Sequence, residues 1–279
     1  VAVCVVTDSA CDLPPDLATE LGIRIVPLTI RFGDEEFVDR RDLTPAEFWA
    51  RCAASPVLPE TAAPPPGLFE QAFRAAAAEG ADGIVCVNLS GRLSATIESA
   101  RVAAKAVAPD IPVKVIDSLS LTMGLGMMCV LAARRAAEGA SLEEVAAVVE
   151  DLIGRTKIFA TLDTLENLRK GGRIGGAAAL VGSMLSIKPV IEVRGGVVEQ
   201  ESRQRTRSRA LAYLVDKVRS FGQVENLAVV HGNAPDVEEF RTMLAAVYPG
   251  EIVESQLGAV IGTHGGPRAM GVVFHVPSR

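Results

Sequence analysis

Short runs of β-branched and aliphatic residues recur along the chain at residues 1–6, 23–30, 83–87, 113–116, 158–162, 189–193, 227–230, 251–253 and 272–276. Between many of them the apolar positions fall at helical spacing. This alternation predicts an α/β protein with substantially parallel sheet, because parallel neighbours require a crossover that a helix supplies. Two helix starts are explicit. Thr44-Pro45-Ala46-Glu47 is a capping box with proline at the first helical position, and Ser141-Leu142-Glu143-Glu144 repeats the box without it. Gly80 and Gly139 follow alanine-rich helical segments and predict helix ends.

One segment interrupts the rhythm. Residues 55–67 hold Pro56, Pro59, Pro64, Pro65 and Pro66, which forbid a helix interior or a central strand and predict a rigid loop. The first alternation ends near residues 151–156, where a glycine-rich segment and a second set of strands begin. This places a domain boundary, with domains at residues 1–155 and 156–279.

A chain of 279 residues, 49% hydrophobic and 22% charged, has ample material for a core, and this excludes disorder and fibrous repeats. The 34 acidic and 28 basic side chains leave a net charge of −6 and no clustered positive surface of the kind a phosphate backbone needs, so nucleic acid is not an expected partner. The five cysteines (Cys4, Cys11, Cys52, Cys86, Cys129) are odd in number and widely spaced, with no Cys-x-x-Cys pair. They predict free thiols in a reducing compartment, without disulfides or a zinc site. Three histidines, His231, His264 and His275, predict no histidine-rich metal cluster. The first apolar run meets Asp8 too early for a signal-peptide core. The most apolar stretch, residues 119–133, falls short of the ~18 residues of a membrane span. The expected location is the cytoplasm, with no integral membrane segment.

Open α/β sheets bind ligands beyond the carboxyl ends of their strands, where helix N-termini converge. Three hydroxyl-rich loops follow strands there: Thr7-Asp8-Ser9, residues 88–96 and Asp117-Ser118-Leu119-Ser120. Ser94, followed by Ala95, Thr96 and a helix, can offer its hydroxyl and successive N–H groups to an anion, and it suits plain capping equally. His264 lies in residues 258–267, where Gly258, Gly262, Gly265 and Gly266 allow a ligand close to the imidazole. His231 and His275 end or lie in apolar strands and read as structural. Arg203, Arg205, Arg207 and Arg209 alternate, which fits a solvated face or a docking patch for an acidic partner. The sequence contains no dinucleotide fingerprint, Walker loop, His-Glu-x-x-His or nucleophile elbow.

Taken in order, Thr7-Asp8-Ser9-x-x-Asp12-Leu13-Pro14, Leu93-Ser94-Ala95-Thr96-x-x-Ser99-Ala100, Asp117-Ser118, Leu162-Asp163-Thr164-Leu165-x-x-Leu168-x-Lys170-Gly171-Gly172-Arg173-Ile174, Lys188-Pro189 and Gly262-x-His264-x-Gly266-Pro267 form a set of motifs. The set resembles the DegV family of bacterial fatty-acid-binding proteins and spans nearly the whole chain. The resemblance implies a two-domain α/β fold, with an N-terminal Rossmann-like, mostly parallel sheet and a C-terminal α/β domain. A tunnel with its mouth at their junction would hold one long-chain fatty acid, such as palmitate, stearate or oleate, with no cofactor and no metal. It further implies a noncatalytic carrier that presents the carboxylate to an ATP-dependent fatty acid kinase, which makes the acyl phosphate for phospholipid metabolism. Transient contact with a membrane surface is compatible with that role.

Carried over by position, the carboxylate would meet Thr61, Ser94, the backbone N–H near Ala95, and His264. A carrier must also dock on its kinase, a role for which Arg203 and Arg205 are candidates. The chain departs from the family pattern at Ala62 and Pro65 in the proline loop, where the family has serines, at Ala95 where the family has glycine, and at Ile97 where it has tyrosine. These departures imply a drier, tighter carboxylate pocket. The physics suits such a ligand: at about 0.8 kcal/mol per methylene, a tail of about 14 offers on the order of 11 kcal/mol before ordering costs. Met123, Met127, Met128 and Met184 could line a tunnel or simply fill the core. The competing reading is a serine hydrolase acting on acyl esters, with Ser94 as nucleophile and His264 as base.

Overall fold

The computed structural model describes residues 2–179 and 187–278. β1 (Val3–Asp8) passes through a tight helical turn at Ser9–Cys11 into α1 (Pro15–Glu20) and β2 (Arg24–Val26), then a hairpin of β3 (Thr29–Phe32) and β4 (Glu35–Val38). Next come α2 (Pro45–Ala54), β5 (Glu60–Ala62), α3 (Pro66–Ala78), β6 (Gly83–Asn88), α4 (Thr96–Val107), β7 (Val113–Asp117), α5 (Thr122–Ala137) and α6 (Leu142–Arg155). The rest runs β8 (Thr156–Thr161), α7 (Glu166–Lys170), β9 (Lys188–Arg194), β10 (Val197–Gln204), α8 (Arg207–Ser220) and β11 (Glu225–His231). It closes with α9 (Val237–Ala245), β12 (Val253–Gln256), α10 (Ala259–Gly265) and β13 (Met270–His275).

The first sheet, β2-β1-β6-β7, is parallel throughout, as the alternation predicts. The second, β10-β9-β8-β13-β11-β12, is antiparallel except for the β11/β12 pair. Parallel sheet therefore describes only the first of the two. The hairpin between β9 and β10 turns on Gly195 and Gly196, both at positive φ, as a two-residue turn that matches strand twist requires. The predicted strand at residues 23–30 divides at Pro27, which has no N–H to give a ladder. Its first half joins the parallel sheet, and its second half joins a separate three-stranded sheet, β4-β3-β5. The proline-rich segment is not loop alone. β5 lies inside it as an edge strand, and Pro66 opens α3 at its first position.

Both predicted capping boxes are formed, at Thr44 and Ser141. Gly80 and Gly139, both at positive φ, follow α3 and α5. The apolar stretch that is too short for a membrane span is α5. It is buried on nearly every face because it lies between the parallel sheet and the second sheet. Outside these, α3 and α4 cover the far face of the first sheet, and α8 and α9 cover that of the second. Met123, Met127 and Met128 fill the core around α5; Met184 lies outside the described residues. All five cysteines are free thiols, and no helix among the described residues is long and apolar enough to cross a membrane.

Candidate functional site

Alternation along β8 sends Phe159 into the outer core under α8, while Ile158 and Ala160 face inward toward α5. Cross-strand register extends the inward row. Ala160 pairs with Ile191 of β9 and with Gly271 of β13, and Gly271 pairs with Val230 of β11. Two small residues thus stand in the middle of a row with bulky residues on either side, which leaves a trough in the sheet. It forms one wall of a cavity of about 100 Å3 that Leu28, Leu89, Leu121, Leu257 and Val260 help to close. The wall is aliphatic. A cavity of this kind takes a hydrocarbon guest and gives water nothing to bond.

One end of the enclosure is polar. Thr61 of β5 and His264 of α10 meet there, with Oγ1 and Nε2 3.0 Å apart across 203 residues of sequence. Thr61 reaches this place because β5 pairs with β3, Ile30 opposite Thr61. Ser94 also lines the cavity; its hydroxyl lies 2.9 Å from Thr96 Oγ1 and accepts the Thr96 N–H at 3.3 Å. The N-cap of α4 is Ala95 and not Ser94; Ala95 is exposed and lies off the lining.

Arg173 is the residue the sequence reading left unassigned. It lies within the Lys170–Ile174 motif, but nothing in that spacing says where the guanidinium points. Nε donates to Leu93 O at 3.0 Å and Nη1 to Gly171 O at 2.6 Å, so Arg173 ties the turn before Ser94 to the loop beside His264 and lines the cavity between them. Burial pushes the His264 imidazole down to about 4, and the nearby Arg173 charge adds to the shift, so the ring is neutral at physiological pH. Nδ1 is buried without a hydrogen-bond partner among the described residues. Gly171 makes this placement possible: a Cβ there would stand 2.4 Å from Nδ1.

The arginine series does not form one face. Arg203 and Arg205 are exposed at the end of β10 and just beyond it, whereas Arg207 is half-buried and bonded twice to Asp236, at 2.6 and 2.8 Å. His231 accepts the Ala234 N–H at 3.3 Å, and His275 pairs with Asn226 at 3.1 Å, both within the second sheet. Among the described residues no group of three or more His, Cys, Asp or Glu side chains could hold a metal ion.

These features define an α/β protein of two large sheets and one small one, with an aliphatic cavity whose polar end carries two hydroxyls, a neutral imidazole and a guanidinium. The chain belongs to the DegV family: residues 2–276 match the family model described as "Uncharacterised protein, DegV family". A DegV domain-containing protein of Streptomyces coelicolor is 38% identical over 277 residues, 97% of each chain. The solved structure of a DegV family protein from Thermus thermophilus, described for its fatty acid binding, is similar at TM-score 0.92 and 33% identity, covering 99% of this chain and 100% of that one. A stearic acid-binding protein from Eubacterium ventriosum is similar at TM-score 0.86 and 27% identity, covering 98% and 97%.

Proposed function

We propose that this chain is a noncatalytic carrier of one long-chain fatty acid. The tail lies in the aliphatic trough, and the carboxylate lies among Thr61, Ser94, His264 and Arg173. The observation that carries this reading is the meeting of Thr61 and His264 at the polar end of an otherwise aliphatic enclosure. A carboxylate leaves water only where other donors replace it. With the ring neutral, Thr61 accepts from Nε2–H and turns its own hydroxyl to the acid, while Arg173 supplies the balancing charge. The fatty acids bound by the Thermus and Eubacterium relatives agree with this assignment.

In the same reading the units at residues 1–155 and 156–279 meet at the cavity mouth, and the protein works in the cytoplasm. An ATP-dependent fatty acid kinase docks on Arg203 and Arg205 and converts the presented acid to an acyl phosphate that feeds phospholipid metabolism. A hydrolase would need Ser94 against His264, but Ser94 bonds Thr96 and His264 bonds Thr61. Native mass spectrometry before and after organic extraction tests the carrier. One fatty acid per chain, lost on extraction and regained on adding stearic acid, is expected; a protein that takes up none overturns the proposal.

A further inference from the structure

α10 delivers His264 to the cavity, yet little in its own sequence holds it. It is seven residues long, and its N-cap is Gly258, which has no side chain to offer. A helix this short is unstable alone, so its neighbours must set its position. At that N-terminus stand two buried carboxyls from the first part of the chain. Asp12 Oδ1 accepts the Gly258 N–H at 2.9 Å, and Asp39 faces the Ala259 N–H. The Ser255 hydroxyl donates to the Asp12 carbonyl, and Trp49 Nε1 donates to Leu257 O at 3.1 Å. Three attachments thus gather just ahead of the helix, and the side chains that make them, those of Asp12, Ser255 and Trp49, lie off the cavity lining.

Asp12 is the unusual member of this set. It is 2% exposed and sits at φ 48, a left-handed conformation that aspartate, asparagine and glycine tolerate better than other residues. Burial pushes its carboxyl up to about 7, held back by the Thr122 hydroxyl, the Gly258 amide and Arg40. A buried carboxylate is costly to keep, and groups that a fold retains against stability gather where it does its work. We infer that Asp12 is a positioning residue for the head-group site: by holding the Gly258 amide it fixes α10 along its axis and so sets His264 against Thr61.

This inference rests on the fatty-acid reading, and its test separates the two. Stearic acid and stearyl alcohol share a tail and differ at the head, so the ratio of their affinities reports the head-group site alone. The wild-type protein is expected to prefer the acid. Asp12→Gly, which keeps the backbone conformation and loses the acceptor, is expected to reduce that preference by about tenfold while alcohol affinity is retained. Asp12→Asn, which still accepts from Gly258, is expected to preserve it. An unchanged preference in Asp12→Gly overturns the inference, as does an equal loss of both ligands. If wild-type protein binds neither ligand, the proposed function itself has failed. Should Asp12→Gly not fold, Asp12→Ser, too short to reach the amide, is read by the same two outcomes.

Discussion

A neutral imidazole cannot attract an anion by charge, so in the proposed site His264 acts through the direction of its hydrogen bond. Thr61 is the intermediary, and Thr61→Val, equal in shape and lacking the hydroxyl, is expected to weaken stearic acid binding by roughly tenfold, measured by displacement of a fluorescent fatty acid. Gly171→Ala tests the ring's placement from the other side, because its Cβ would stand 2.4 Å from Nδ1 and force the imidazole off Thr61. A similar loss is expected, and unaltered affinity would show that the Thr61 contact is dispensable. The buried acids set the pH response. Burial raises Asp8 to about 6 and Asp12 to about 7, so the native state takes up their protons at higher pH than the unfolded chain, and their penalty fades as pH falls. His264 and His275, both lowered to about 4, act oppositely: the unfolded chain protonates them first, and stability is lost as pH falls from the ordinary histidine range toward 4. Asp12→Asn removes one acid penalty. It is expected to raise the denaturant midpoint most at about pH 8, less at about pH 5, and not at all below the unfolded value of 3.8, whereas equal shifts at about pH 8 and about pH 5 would contradict a raised Asp12.

β8 shows how a single strand serves two cores, with Phe159 on one face and Ile158 and Ala160 on the other. Ala160→Phe would place a ring in the trough over Gly271. Fatty acid binding is expected to be lost while the fold persists, with native mass spectrometry reading occupancy and thermal melting reading the fold; bound lipid in this variant would place the tail elsewhere. The inward row was legible in part, since the apolar run at residues 158–162 marks the strand. That Ala160 and Gly271 stand side by side was not, because register is fixed by pairing across 111 residues of chain and not by local pattern. Polar strands escaped the reading for a related reason. Among the described residues β10 is an edge strand, with β9 as its only neighbour in the sheet, so its Glu, Gln, Ser and Arg residues leave no apolar run to notice. Pro27 and the Gly195-Gly196 turn were visible signals, and the local chemistry of proline and glycine accounts for both breaks.

The head-group site draws on β5, the turn before α4, the loop after α7 and α10, which are far apart in sequence. No spacing rule could assemble them. Loop context singled out Ser94 and His264, and resemblance to a family added Thr61 and grouped the three, while Arg173 emerged only from its two backbone bonds, which join the Ser94 turn to the Gly171 loop. A site assembled from both halves of the chain couples binding to the whole fold, since unfolding either half releases the ligand. A ligand held only by the native state adds RT ln(1 + [L]/Kd), about 2.7 kcal/mol at a hundredfold excess over Kd. For a chain of this size that is a rise in Tm of roughly 5–10 °C. Delipidated protein is therefore expected to melt lower by about that much and to recover on adding stearic acid. Ala160→Phe, its cavity filled, is expected to show no such rise. If the ring-filled variant gains as much as the wild type, the lipid stabilises the protein from its surface, and the cavity between the sheets is not where it binds.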